Sequence, residues 1–254
     1  MMRTVLITGA SSGIGTACAE TLAAENYRLI LCARREERLK ALKLNILSKH
    51  PTCEIHVMVL DVRRYEETLS AIETLPEAWK NIDVLINNAG LSQGLEPIQD
   101  GDIGDWDRMI DTNVKGLLYV TKSVIPLLKK SELAHIINIG SIAGKEVYPN
   151  GNVYCATKHA VDSLNKAMRI DLLPLGIKVT AVNPGMVETE FSEVRFKGDV
   201  DKAKSVYAGL TTLNGYDIAE IISFVLSRPA HVNINDLLVM PTAQANGTLV
   251  KRNN

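Results

Sequence analysis

The sequence offers little to a metal or a disulfide. Its four cysteines, Cys18, Cys32, Cys53 and Cys155, stand far apart and form no CxxC pair. Neither a disulfide framework nor a zinc site is expected, and reduced thiols are. The five histidines, His50, His56, His135, His159 and His231, show no HxxxH or HExxH grouping, so no metal is expected. Charge of one sign is also lacking. A formal net charge of −1 leaves no basic footprint, which argues against nucleic-acid binding as the main function. No apolar run approaches the ~20 residues of a membrane span. The opening residues Met1 to Gly9 carry one arginine and a short apolar run that enters a glycine turn. They lack the length and the small-residue cleavage site of a secretion signal, so a cytoplasmic chain is expected. The Asn246-Gly-Thr248 sequon then reads as coincidence.

What is present is a repeating alternation. Thr4–Thr8, Arg28–Ala33, Ile55–Leu60, Ile82–Ile86, His135–Ser141, Ile177–Val182 and Leu237–Met240 are short, near-continuous apolar runs that read as strands. Helical spacing of apolar residues fills Gly13–Glu25, Glu36–Lys49, Tyr65–Leu75, Asp105–Lys130, Asn152–Leu173 and Asp217–Ser227. Strands followed by helices throughout imply a parallel sheet covered on both faces. With 254 residues, 46% of them hydrophobic and 22% charged, the chain has an ordinary globular balance and can bury roughly 70–75% of its extended surface. No linker or repeat divides it. The expectation is one α/β domain over residues 1–254, a doubly wound parallel sheet of the Rossmann kind. Two irregular patches stand out, 94–104 and 188–215. The second follows a strand end and reads either as a lid over a ligand or as a solvated helix-loop.

The first strand runs into Thr8-Gly9-Ala10-Ser11-Ser12-Gly13-Ile14-Gly15 and then the first helix. Glycines let backbone approach a ligand closely, and a helix N-terminus presents unpaired N–H groups to a pyrophosphate. The spacing is GxxxGxG rather than the common GxGxxG. The second strand ends in Arg34-Arg35, where an NAD site places a carboxylate for the ribose hydroxyls and an NADP site places arginine for the 2′-phosphate. NADP(H) is favoured, unless Arg35 and Arg38 merely pair with Glu36 and Glu37. Asp61-Val62 after the third strand could meet the adenine edge or cap a helix. Asn87-Asn88-Ala89-Gly90 closes the fourth strand with small residues.

Tyr154 and Lys158 are four residues apart on a helix, which puts their Cβ atoms roughly 5–6 Å apart on one face. A neighbouring cation lowers a phenol's pKa from its usual ~10 and fits it for acid/base work. Ser141 ends a strand thirteen residues earlier, at the carboxyl edge where open α/β sheets bind ligands. Asn113 lies inside the long helix, where its poor propensity points to a side-chain or bending role.

Taken together, TGASSGIG, NNAG, Asn113, Ser141, Tyr154-x-x-x-Lys158 and Asn183-Pro184-Gly185 resemble the short-chain dehydrogenase/reductase superfamily along the whole chain. The runs from Glu190 to Gly198 and from His231 to Thr242 are similar to NADP-dependent 3-hydroxy acid (serine/L-allo-threonine) dehydrogenases. The resemblance implies that Tyr154 exchanges the substrate proton while Lys158 lowers the Tyr154 pKa and bonds the nicotinamide ribose. It implies further that Ser141 bonds the substrate oxygen and that Asn113 supports a water-linked path to Lys158. Pro184 to Ser192, with Gly185, Val187 and Thr189, would wrap the nicotinamide end, and the assembly would be a homotetramer. A hydroxy acid's carboxylate needs a donor, and Arg195 or Lys197 could supply it; otherwise each is a surface cation. A carrier-free hydroxy acid is the expected substrate, against other ketones, acyl-thioesters or a non-catalytic NADP-binding role.

Overall fold

The apolar runs become seven strands in the computed structural model, which describes residues 2–253. They are β1 (Thr4–Thr8), β2 (Arg28–Ala33), β3 (Ile55–Val59), β4 (Val84–Asn87), β5 (His135–Ile139), β6 (Lys178–Pro184) and β7 (Asp236–Val239). All pair in parallel in the order β3-β2-β1-β4-β5-β6-β7. Leu6 sits between Ile30 and Leu85 in register. Because side chains alternate across a strand, Val5 and Ile7 feed one core while Leu6 feeds the other. The first core lies under α1 (Gly13–Ala24), α2 (Glu36–Lys49) and α9 (Gly215–Leu226). The second lies under α3 (Tyr65–Glu73), α5 (Leu117–Leu128) and α6 (Asn152–Asp171). Strand order reverses between β1 and β4, and an open α/β sheet binds its ligand beyond the strand ends at such a switch point.

The long helix expected over 105–130 is three pieces: α4 (Ile103–Ile110), a π-helical stretch Asp111–Gly116, and α5. Asn113 sits in the π stretch, fully engaged with Leu91 and Thr157. Holding that side chain inward accommodates an extra residue per turn, a distortion that concentrates at functional sites. The fourth strand starts at Val84, two residues later than expected, and the Asp83 carboxylate accepts from the Thr4 backbone N–H at 2.7 Å. The last helix starts at Gly215, earlier than expected, because Asn214 and Asp217 form a reciprocal capping box. The last strand sits one residue earlier than the apolar run suggested.

A buried amide chain locks α6 to the sheet. Asn87 Nδ2 donates to Asn138 Oδ1 and Thr121 Oγ1, both at 2.9 Å, and Asn138 Nδ2 donates to Asn165 Oδ1 at 3.0 Å. Hydrogen bonds between buried partners fix geometry because losing one partner strands the other. The helix carrying Tyr154 and Lys158 is thereby registered against β4 and β5.

No helix among the described residues is long and apolar enough to cross a membrane.

Candidate active site

A cleft of about 520 Å³ opens along the carboxyl ends of the strands. One end is bounded by Arg34 and Arg35, the middle by the glycine loop and Asn88–Gly90, and the other end by Ser141, Tyr154 and Arg195. Most of the sequence motifs, spread over the whole chain, therefore meet in one groove, although Ala10, Gly15 and Asn113 do not line it.

The glycine loop is shaped for close approach. Gly9 has φ +66, and a Cβ there would stand 2.8 Å from Asn88 Nδ2 and 2.9 Å from Ala89 Cα. Only glycine combines that backbone angle with that contact. Asn88 ties β4 to the loop, donating to Thr8 O at 2.9 Å and Gly9 O at 3.1 Å. Thr8 Oγ1 in turn accepts from the N–H groups of Asn88 and Ala89. Ser12 is the N-cap of α1 yet makes no side-chain cap, so the helix's first N–H groups remain for an anion. Ala10 and Ser11 complete this turn, with Ile14 and Gly15 in the first turn of α1.

At the end beside the second strand, Arg34 borders the cleft. Arg35 does not pair with the helix-start glutamates, the alternative that the sequence left open. It donates to Ser11 Oγ (3.2 Å), Ser12 Oγ (3.0 Å) and Glu190 Oε2 (3.1 Å). Asp61 and Val62 line the same end. The Asp61 carboxylate is gripped by Arg63 Nε at 2.9 and 3.0 Å, a hydrogen bond that holds it below the usual carboxylate range.

Ser141 is extended at the N-cap of a short turn, Ile142–Gly144, and its Oγ accepts from Ala143 N at 3.1 Å. With that lone pair used, the O–H proton is left to donate. Gly144 packs on α6 so closely that a Cβ would lie 2.6 Å from Lys158 O, which sets the distance between the serine turn and the Tyr154/Lys158 helix. Asn113 Oδ1 accepts from Leu91 N and its Nδ2 donates to Leu91 O, both at 2.8 Å, and to Thr157 Oγ1 at 3.1 Å. Its side chain ties the segment after Gly90 to α6.

The electrostatics differ from expectation in one respect. The spacing puts Lys158 beside Tyr154 as the charge that lowers its pKa. Lys158 Nζ does lie over the Tyr154 ring, 6.0 Å from its centroid, and donates to Ile139 O at 2.9 Å. Burial pulls this ammonium down to about 8. Burial also pushes the Tyr154 phenol above its ordinary value, and the charge working against that rise is Arg195, aided by a hydrogen bond with Ser141. Desolvation outweighs the helical-face pairing because both groups lie in the interior.

Arg195 was one of two candidates for an anion site, and the structure separates them. Its guanidinium stands 5.3 Å from the Tyr154 ring centroid, with Nε donating to Ser92 Oγ at 3.1 Å and Nη2 to Tyr148 Oη at 3.0 Å. Lys197 turns away and pairs with the buried Asp105 at 2.8 Å. Sequence reasoning missed Ser92, Tyr148 and Gln244. Tyr148 sits in the connection between Ser141 and Tyr154, a signal that could have exposed it. Gln244 could not have been found, since it reaches the cleft only through the fold, its Oε1 accepting from Met186 N at 2.8 Å.

The segment 188–215 folds as α7 (Phe191–Arg195) and α8 (Val200–Tyr207) along the cleft. Pro184, Gly185, Val187 and Thr189 lead into it and border the cleft. Thr189 Cβ lies 3.1 Å from where a Cβ on Gly13 would stand. Gly94 N–H donates to Arg195 O at 3.0 Å, so the two irregular patches of the sequence touch. No group of three or more metal-ligating side chains occurs among the described residues.

This groove, with its glycine turn and Ser-Tyr-Lys edge, is the architecture of a nucleotide-dependent oxidoreductase. The chain belongs to the short-chain dehydrogenase family, whose model matches residues 3–199. It is 46% identical over 242 residues to sulfoacetaldehyde reductase 2 of Chromohalobacter salexigens, covering 95% of each chain. It is 44% identical over 242 residues to the NADP-dependent 3-hydroxy acid dehydrogenase YdfG of Salmonella typhi, covering 95% of this chain and 96% of that one. Among solved structures, the closed form of serine dehydrogenase complexed with NADP+ superposes with a TM-score of 0.92 at 41% identity, over 99% of this chain and 100% of the other.

Proposed function

We propose that this protein is an NADP(H)-dependent oxidoreductase acting between the 3-hydroxyl and 3-oxo forms of a short hydroxy acid. The observation that carries the substrate class is Arg195, a fixed cation 5.3 Å from the ring of the proton-transferring Tyr154. In serine, L-allo-threonine, 3-hydroxypropionate and malonic semialdehyde, one carbon separates the reacting carbon from a carboxylate. Such a molecule can place its oxygen at Tyr154 and its anion at Arg195 together.

The cleft fits a dinucleotide at each point where chemistry demands it. Uncapped N–H groups and the close-approach glycines Gly9 and Gly13 meet a pyrophosphate, and Arg34 and Arg35 meet a 2′-phosphate. The bound cofactor supplies the hydride acceptor or donor. The residues supply the rest. Ser141 donates a hydrogen bond to the substrate oxygen, and Tyr154 takes its proton as C–O becomes C=O, or returns it in reduction. Lys158 passes protons and bonds the ribose. Asn113 keeps the Leu91 segment and α6 together, in support of the water-linked path to Lys158. The segment 188–215 covers the cleft as a lid, in keeping with the resemblance to a structure described as closed.

A second reading has its own support. Sulfoacetaldehyde has the same one-carbon spacing, with sulfonate replacing carboxylate, and a relative at 46% identity carries that activity in its name. Arg195 serves either anion. Neutral ketones and acyl-thioesters give Arg195 no counter-charge, and a non-catalytic NADP-binding protein gives Ser141, Tyr154 and Lys158 no task.

The test is reduced-nicotinamide absorbance with NADP+ and then NAD+ against the hydroxy acids, and with NADPH against malonic semialdehyde and sulfoacetaldehyde. NADP(H) should support the faster rate, and the anionic substrates should outrun neutral alcohols of equal size. Tight NADPH binding without turnover of any of these would overturn the substrate class alone.

We also propose a cytoplasmic homotetramer. Ile170 and Leu173, three positions apart at the end of α6 and just beyond it, are 72% and 75% exposed, a pair of large apolar side chains that a subunit contact would cover. Light scattering that gives a monomer mass would refute this.

A further inference from the structure

The lid and the cofactor-reading arginines are joined by one carboxylate. Glu190, the residue before α7, accepts from Arg35 Nη1 at 3.1 Å and, more closely, from Arg38 Nη1. Arg35 lies 155 positions earlier in the chain, so the contact exists only through the fold. The other donors of Arg35 go to Ser11 and Ser12 in the glycine turn. The guanidinium edge left for an outside anion is the edge that Glu190 holds.

We infer that Glu190 is a positioning residue that sets cofactor preference, acting as an internal substitute for the 2′-phosphate on Arg35. This rests on the NADP reading of Arg34 and Arg35 given above. Partial burial pushes the Glu190 carboxyl up, but hydrogen bonds from Arg38 and Arg35 more than reverse that and hold it below the usual carboxylate range. It is therefore ionised at neutral pH. A 2′-phosphate reaching Arg35 must share or displace this anion and bear its repulsion. A cofactor without the phosphate leaves the Glu190–Arg35 pair untouched. Arg38 gives the displaced carboxylate a second cation, so the lid stays tethered to α2 while Arg35 changes partner. Glu190 thus restrains the NADP(H) preference that the arginines create. Because both sides of the pair are partly exposed, its removal changes affinity by a modest factor.

The experiment is fluorescence titration of wild type, Glu190→Gln and Glu190→Asp with NADPH and NADH at low salt. Glu190→Gln should raise the ratio Kd(NADH)/Kd(NADPH) by about three- to fivefold, chiefly through tighter NADPH binding. Glu190→Asp keeps the charge and should stay near wild type. The gain should shrink in high salt as the charges are screened. A purely structural tie between α7 and α2 would weaken both cofactors alike and leave the ratio unmoved. An unmoved or lowered ratio in Glu190→Gln, with wild type still preferring NADPH, overturns this inference alone. A wild-type protein that binds both cofactors equally overturns the NADP reading and this inference with it.

Discussion

Tyr154→Phe should cut turnover of hydroxy acids with NADP+ by roughly 10²- to 10⁴-fold while leaving NADPH binding within a factor of about two. The substitution removes one oxygen and nothing else. The ring stays packed edge-on against Phe191, with centroids 5.5 Å apart, in a small cluster with Leu91, Met109, Ala143 and Cys155. The fold and the cofactor end of the cleft should therefore survive, and the loss should fall on kcat. Stopped-flow or steady-state absorbance, with NADPH fluorescence as the control, reads both quantities. If the variant kept more than a tenth of wild-type turnover, another group would be moving the proton and the assignment of Tyr154 would fall.

Arg195→Met should lower kcat/KM for anionic substrates by roughly ten- to a hundredfold, the loss of a charge-assisted hydrogen bond. Neutral alcohols should lose far less. The variant should also shift the pH profile. Oxidation needs Tyr154 as phenolate, so its rate climbs with pH; reduction needs the phenol, so its rate falls at high pH. Burial raises the Tyr154 pKa and Arg195 opposes that rise. Without the guanidinium the phenol holds its proton to higher pH, and the rising limb of oxidation should move up the pH scale. A purely steric role for Arg195 would leave that limb in place. Equal losses for anionic and neutral substrates would remove Arg195 as the anion site. Methionine preserves length but strands Ser92 Oγ and Tyr148 Oη, both partners of Arg195, so a melting curve belongs beside the kinetics.

Much of this site was legible in the chain because each part sits at a fixed step of a repeating unit. The glycine turn follows the first strand, Arg34-Arg35 the second, Asn88–Gly90 the fourth and Ser141 the fifth. Parallel strands bring all of those endings to one edge. What stayed hidden was less periodic. The π-helical break at Asp111–Gly116 depends on where the Asn113 amide finds partners, and those are 22 and 44 positions away. Ser92, Tyr148 and Gln244 lie in irregular connections, whose paths no periodicity describes.

Local sequence determined the fold, since apolar runs of strand length alternating with helical faces leave a parallel doubly wound sheet as the way to bury both. It also determined which residues crowd the strand ends, and hence the family to which the chain belongs. Tertiary structure alone decided the charges. Helical spacing puts Lys158 6.0 Å from the Tyr154 ring centroid, and the fold adds Arg195 from a distant segment at 5.3 Å. It likewise takes Arg35 from its neighbouring glutamates and gives it to Glu190, the residue before α7. Spacing along a chain fixes which groups can be near one another; how far each is removed from water, and which distant charge faces it, is set only when the whole chain has packed.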